Sequence, residues 1–138
     1  RNYEIAKKNG FKEYSAGLEG CHFNFEKLDN YQHGIHDYFK FLKFGFARST
    51  DQLSYLVRRG LIPRNEAIKI AEEKEGNFPR SYLGKTLEDI LKKIGLTVDD
   101  FDIICDKFTN KKIFKCNQSG ELIKDNHKNL KKISYDNI

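Results

Sequence analysis

The sequence predicts a mainly α-helical fold of about five helices with a small C-terminal β-hairpin, and three observations carry that expectation. Apolar residues recur at helical spacing in five stretches between residues 35 and 108. Glycines at 60, 76 and 95 fall where those stretches stop. Beyond residue 110 the pattern changes to short β-compatible runs around a polar turn.

Taken in order, residues 1–9 read as a first helix that ends at Gly10. Residues 11–29 show neither period and are punctuated by Gly17 and Gly20, so a loop is expected there. Over residues 35–46, Ile35, Tyr38, Phe39, Leu42 and Phe46 share one helical face, while His36, Lys40 and Lys43 form a stripe on another. Phe41 and Phe44 border that stripe, which fits a helix between two layers or a cationic stripe lining a cleft or contact. Gly45 loosens or ends this helix, and Ser49 with Gln52 suggests a capping box for the next, with Leu53, Leu56 and Val57 inward. Pro63 suits the first turn of a helix reaching about residue 75, with Ala67, Ile70 and Ala71 inward. Leu87, Ile90, Leu91 and Ile94 mark a further helix ending at Gly95. Thr97 is an N-cap, with Asp99 and Asp100 in the first turn, for a helix burying Phe101, Ile104 and Phe108. Residues 113–116 and 121–124 then flank Asn117-Gln118-Ser119-Gly120 as a hairpin.

Composition limits the function classes. Charged residues make up 33% and hydrophobic ones 38%, yet 11 Phe and 7 Tyr supply bulk for a core, which excludes disorder throughout. No apolar run approaches the roughly 18 residues of a membrane span, so no membrane association is expected and the cytoplasm is the expected compartment. The net charge of +5 is uneven: residues 107–132 hold eight Lys against Glu121 and Asp125. Few Arg and few interleaved aromatics accompany those lysines, so a solvated tail is favoured over a nucleic-acid surface. Cys21, Cys105 and Cys116 form no C-x-x-C pair, which suits reduced thiols and gives no metal site. The chain contains no Met and opens at Arg1 inside a helical pattern, from which a piece of a longer protein is expected.

Two places could carry chemistry. His36-Asp37 is a candidate acid-base pair, although neighbours on a helix diverge by about 100° and a capping or structural role is the alternative. In residues 43–51 a cationic stripe leads through Gly45 into a helix N-terminus, where free N–H groups and the macrodipole favour an anion. Lys43, Arg48, Ser49 and Thr50 could together hold a phosphate, pyrophosphate or carboxylate there. Asp51 could pair with Arg48, assist a magnesium ion or complement the dipole. Arg58, in the last turn of that helix, is a further candidate whose charge also suits the helix C-terminus.

These residues stand in motifs that resemble a known family. Glu19-Gly20-Cys21, Glu26-Lys27-Leu28-Asp29, Gly34-Ile35-His36-Asp37-Tyr38, the run from Lys43 to Asp51, and Arg58-Arg59-Gly60 resemble the C-terminal half of N-acetyl sugar amidotransferases of bacterial surface-polysaccharide and lipopolysaccharide biosynthesis. Phe78-Pro79, Tyr82-Leu83-Gly84-Lys85 and Phe108-Thr109-Asn110-Lys111 extend the likeness. That family is similar to PP-loop ATP pyrophosphatases of α/β fold. The resemblance implies that ATP, with Mg2+, adenylates the amide oxygen of a nucleotide-activated N-acetyl sugar and that ammonia displaces AMP to leave an acetamidino group. It further implies a glutaminase subunit and a cyclase-like ammonia-channel subunit as partners. His36 and Asp37 would then be catalytic, with Lys43, Arg48, Ser49, Thr50, Asp51 and Arg58 on the substrate or pyrophosphate side.

The family's Ser-Gly-Gly-x-Asp-Ser signature is absent from the sequence, so ATP and Mg2+ are expected mainly on a part upstream of Arg1. Ala47 stands where relatives commonly have glycine and Ser49 where they commonly have alanine. The expected organisation is a helical substrate-side region at 1–110 followed by a hairpin and Lys-rich tail at 111–138. The competing expectation is a basic helical module that binds RNA or docks the glutaminase without catalysis of its own.

Overall fold

The computed structural model describes residues 2–133; Arg1 and the end of the Lys-rich tail, residues 134–138, lie outside them. Among the described residues are six helices and one two-stranded sheet: α1 (Asn2–Lys8), α2 (His33–Phe44), α3 (Arg48–Arg58), α4 (Arg64–Lys74), β1 (Ser81–Tyr82), β2 (Lys85–Thr86), α5 (Leu87–Lys92) and α6 (Val98–Phe108). The fold is mainly α, as the periodicity predicts, with one small β-hairpin.

Helix α2 is the centre of the core. Its Tyr38, Phe41 and Leu42 pack with Phe78, Leu91, Phe101 and Phe114, while Ile35 and Phe39 cover the edge of this cluster. The rings meet mostly edge to face, with Tyr38–Phe78, Phe39–Phe101 and Phe78–Phe101 centroids each 5.8 Å apart, the geometry that ring quadrupoles favour. The expected inward face needs one correction. Gly45 ends the helix in the left-handed conformation, its N–H bonded to the Phe41 carbonyl at 2.7 Å. Phe46 therefore falls beyond the helix and stays 40% exposed, and Phe41 takes the core position.

Helices α3 and α4 form an antiparallel pair stapled by Glu75. The expected Ser49–Gln52 capping box does not form, because α3 begins two residues earlier, with Ala47 at its N-cap, and both side chains are drawn into tertiary bonds. Ser49 is fully buried, and its hydroxyl donates to the Gly20 carbonyl. Gln52 Oε1 accepts from the N–H groups of His22 and Phe23, so it anchors the 11–29 loop. By contrast, the box at Thr97 forms fully, with Thr97 and Asp100 capping each other. Pro63 sits at the N-cap of α4, just before its first turn.

The β1–β2 hairpin, which pairs Ser81 with Thr86 and Tyr82 with Lys85, is absent from the sequence reading. Its turn residues Leu83 and Gly84 both have positive φ. The expected hairpin at 113–124 exists as isolated bridges: Cys116 pairs with Leu122, and Lys124 and Phe114 pair with Leu130 and Lys132. Phe114 from this segment is fully buried in the α2 cluster. Helix α5 stops at Lys92, which leaves Ile94 59% exposed, and Phe108 at the end of α6 is 52% exposed; neither is the core residue expected. Helix α6 carries Asp99, Asp102 and Asp106 on one stripe, matched by Lys124 and Lys128 from the last segment. No helix among the described residues is long and apolar enough to cross a membrane.

Candidate active site

Asp37 is the residue around which the site is built. It lies in the first half of α2, faces inward, and is only 5% exposed. A carboxylate removed from water must be paired or neutralised. Three groups from different segments meet this one: Lys27 Nζ at 2.9 Å and His36 Nδ1 at 3.1 Å from Oδ1, and Arg48 Nε at 3.6 Å from Oδ2. Burial pushes the Asp37 carboxyl up, but the hydrogen bonds from Lys27 and His36 and the nearby charges of Lys27 and Arg48 outweigh it and hold the group below its ordinary value. Asp37 is thus an anion at neutral pH, unsuited to act as a general acid.

The neighbours set Lys27 in place. Lys27 has a positive φ of 55°, and its carbonyl accepts from the Tyr82 hydroxyl. Gln52, already holding the 11–29 loop, also donates to Glu26 at 2.9 Å. Beside them Cys21 is buried, and desolvation together with the Asp37 charge pushes its thiol up to about 11. Cys21 is therefore a packed thiol and no nucleophile at neutral pH.

Asp37 reaches the floor of a cleft of about 410 Å³ between the Gly17–Gly20 loop, α2 and the segment after α4. The walls combine apolar surface from Leu18, Tyr38 and Phe78 with the carboxylates of Glu19, Glu73 and Glu75. Glu19 fastens the two sides, accepting from the backbone N–H groups of Arg80 and Ser81 and from the Ser81 hydroxyl at 2.7 Å. Gly76 lets the far wall close: a Cβ there would lie 2.5 Å from Cζ of Phe41. Asp37 Oδ2 and Arg48 Nε are buried atoms with no hydrogen bond inside the described protein. Asp37 lines the cleft, and Arg48 stands behind it, outside the lining.

Of the residues expected from sequence, His36, Asp37 and Arg48 come together. Helical divergence does not keep His36 from Asp37: its Nδ1 lies 3.1 Å from Oδ1. Ser49 lies beneath the Gly20 edge of the cleft as a packing residue. The anion position at the α3 N-terminus is filled from within: Glu75 accepts from Thr50 N–H at 2.6 Å and from Thr50 Oγ1 at 2.9 Å. A helix N-terminus favours negative charge, and the chain supplies its own. Asp51 pairs with Lys40 rather than with Arg48. Lys43 lies over the Phe108 ring, 5.2 Å from its centroid, away from the cleft. Arg58 is exposed at the other end of α3, about 15 Å along the helix axis from Arg48.

Lys27, Glu19 and Gln52 were not among the expected site residues. Glu19 and Lys27 did stand in motifs, Glu19-Gly20-Cys21 and Glu26-Lys27-Leu28-Asp29, within the aperiodic 11–29 stretch. ATP with Mg2+ does not fit the described residues. The α3 N-terminus carries Glu75, and the sequence has no Gly-rich phosphate loop. Among the described residues no group of three or more His, Cys, Asp or Glu is placed to hold a metal ion.

The described residues thus form a mainly helical domain with an ion-paired cleft. Residues 8–131 match the family model described as LPS biosynthesis protein WbpG-like, C-terminal domain, and the chain belongs to that family. No match is found among curated proteins or among solved structures.

Proposed function

We propose that this chain is the C-terminal, substrate-side portion of an ATP-dependent N-acetyl sugar amidotransferase, which converts a sugar N-acetyl group to an acetamidino group through an adenylated intermediate and ammonia. The observation that carries the reading is Asp37, buried at the cleft floor and clamped by Lys27 and Arg48. Membership of a lipopolysaccharide-biosynthesis family agrees with it. ATP and Mg2+ belong mainly to the nucleotide-binding part of such an enzyme and supply the activation of the amide oxygen. The glutaminase and the cyclase-like channel subunit deliver ammonia.

What this domain contributes follows from its own residues. Lys27, Arg48 and Asp37 sum to one net positive charge in a site shielded from water, so the oxygen that departs with AMP, and takes the electron pair of the breaking C–O bond, is stabilised near them. Leu18, Tyr38 and Phe78 present apolar faces to a pyranose ring, and the cleft carboxylates can accept from its hydroxyls. The Asp37 contact fixes His36 through Nδ1. Its side chain is 70% exposed, which leaves Nε2 open to solvent beside Asp37 to take a proton from the attacking nitrogen.

The test is amidine formation by the enzyme that contains this domain, supplied with its glutaminase, ATP and a nucleotide-linked N-acetyl sugar. Mass spectrometry reads the exchange of one oxygen for NH. Arg48→Lys lowers kcat/KM about a hundredfold, within the range for removing one oxyanion-stabilising donor, whereas Lys43→Ala leaves it unchanged. Unchanged turnover in Arg48→Lys and His36→Gln alike overturns the reading.

A further inference from the structure

We propose that Asn129, on a hairpin loop outside the cleft, is a positioning residue for sugar binding, because it holds the cleft wall at residues 77–80 through the Phe78 backbone. This deepens the reading above and rests on it, since the ligand concerned is the N-acetyl sugar placed in that cleft.

The wall has no ladder of its own. Residues 77–80 run between α4 and β1 in irregular backbone, where polar groups turned away from water need partners outside regular structure. Pro79 has no N–H to donate. Arg80 and Ser81 donate theirs to Glu19 Oε2, at 3.2 Å each, and Phe78 donates to Asn129 Oδ1 at 2.8 Å. Glu19 lines the cleft, whereas Asn129 lies outside the lining. Any effect of Asn129 on a bound sugar must therefore pass through the wall. Phe78 is buried and belongs to both the α2 core and the cleft lining, so a displacement of its backbone alters the apolar surface offered to the ring.

Asn129 is held in turn by a closed loop. Lys124 bridges to Leu130, and Asp125 ties the turn between them: its Oδ1 accepts from the N–H groups of His127 and Asn129 at 2.8 and 2.9 Å, and its Oδ2 from Asn129 Nδ2 at 3.1 Å. A carboxylate only accepts and a backbone N–H only donates, so the Asn129 amide has one orientation, nitrogen toward Asp125 and oxygen toward Phe78. The loop is fixed to α6 by Lys124, 2.7 Å from Asp102 and 2.6 Å from Asp106, and by Lys128, 3.0 Å from Asp102. Two more contacts reach the same wall: the His127 carbonyl accepts from Arg80 Nη2 at 3.0 Å, and Lys128 Nζ lies 5.5 Å from the centroid of the Phe78 ring. This part of the Lys-rich stretch thus buttresses the cleft, where composition favours a solvated tail.

The experiment titrates the whole chain with UDP-N-acetylhexosamines by calorimetry. It compares the native sequence with Asn129→Ala, with Asp125→Asn/Asn129→Asp, and with Asn126→Ala, an exposed position on the same loop. The double exchange keeps the net charge and the bonding pattern, because the new amide at 125 donates to the new carboxylate at 129, whose other oxygen still accepts from Phe78. Asn129→Ala is expected to weaken Kd about fivefold, the worth of one neutral hydrogen bond. The double exchange restores the native Kd, Asn126→Ala leaves it unchanged, and Asp125→Ala, which unties the same amide, weakens it in the same sense. Hydrogen exchange at the Phe78 amide accelerates in Asn129→Ala and returns to the native rate in the double exchange. A purely structural role would instead lower the fraction of molecules that bind, read as stoichiometry, and leave Kd unaltered. A native Kd in Asn129→Ala, a loss of stoichiometry alone, no restoration by the double exchange, or no sugar binding by the native chain overturns the proposal. Absence of amidine from an enzyme whose domain binds the sugar and shows the Asn129 effect overturns the reading of the reaction and leaves the positioning role standing.

Discussion

Replacing Asp37 by Asn tests the physical basis of the site. The change keeps shape but removes the charge that compensates Lys27 and Arg48. Breaking a buried pair by neutralising one partner costs about 3–5 kcal/mol. Lys27 and Arg48 retain 17% and 25% side-chain exposure, so some solvation returns and the lower end, about 3 kcal/mol, is expected. A domain of this length has an unfolding entropy near 0.3 kcal/mol/K, so the midpoint should fall by about 10 °C in a circular dichroism melt. The pH dependence adds a sign. Because the folded carboxyl is held below its ordinary value, its contribution is fully present above the unfolded pKa of about 3.9 and is lost as pH falls through the lower folded value. The difference between native and variant proteins must therefore be constant from pH 7 to about 5 and shrink in stronger acid. A midpoint change under about 2 °C, or a gap that persists unchanged into strong acid, refutes the reasoning.

Other consequences follow from the same contacts. Glu75→Gln removes the charge from the α3 cap and should cost about 1–2 kcal/mol in urea unfolding, while Glu72→Gln, on the exposed face of α4, changes stability by less than about 0.5 kcal/mol. Gly76→Ala forces a Cβ against the Phe41 ring at a φ of +84° and should cost roughly 3 kcal/mol by the same measurement. In thiol labelling at pH 8, Cys116 should react first, because burial pushes Cys21 and Cys105 up to about 11 and 12; equal labelling of all three in the native protein would contradict the packing.

Much of the helical architecture was legible because it depends on local rules. The Thr97 box, the Gly45 stop and the inward residues of α2 near its centre follow from spacing and capping chemistry. The β1–β2 hairpin was not legible, since Leu83-Gly84 carries no strong turn signal and each strand has only two residues. Phe46 and Phe108 were misplaced for a related reason. Periodicity assigns a face, but it does not show where a helix stops or whether a neighbour covers its last turn.

The site divides in the same way. His36, Asp37 and Arg48 were legible as charged residues near helix starts. Their union around Asp37 depends on Lys27, which arrives from a loop with no period at all. Spacing marks the α3 N-terminus as a place that favours an anion, but it does not reveal that Glu75, 25 residues from Thr50, already occupies it. Long-range satisfaction of this kind is what local rules omit.

The most direct test of the account is to locate an N-acetyl sugar on the protein. Amide NMR of the whole chain titrated with UDP-N-acetylhexosamines should shift the backbone signals of Gly17, Gly20, Gly34 and Gly76 around the cleft, with the response lost in Arg48→Lys. Shifts confined to other surfaces, or a cleft response that Arg48→Lys leaves intact, would contradict the claim that the Asp37 cluster forms the floor of the substrate site.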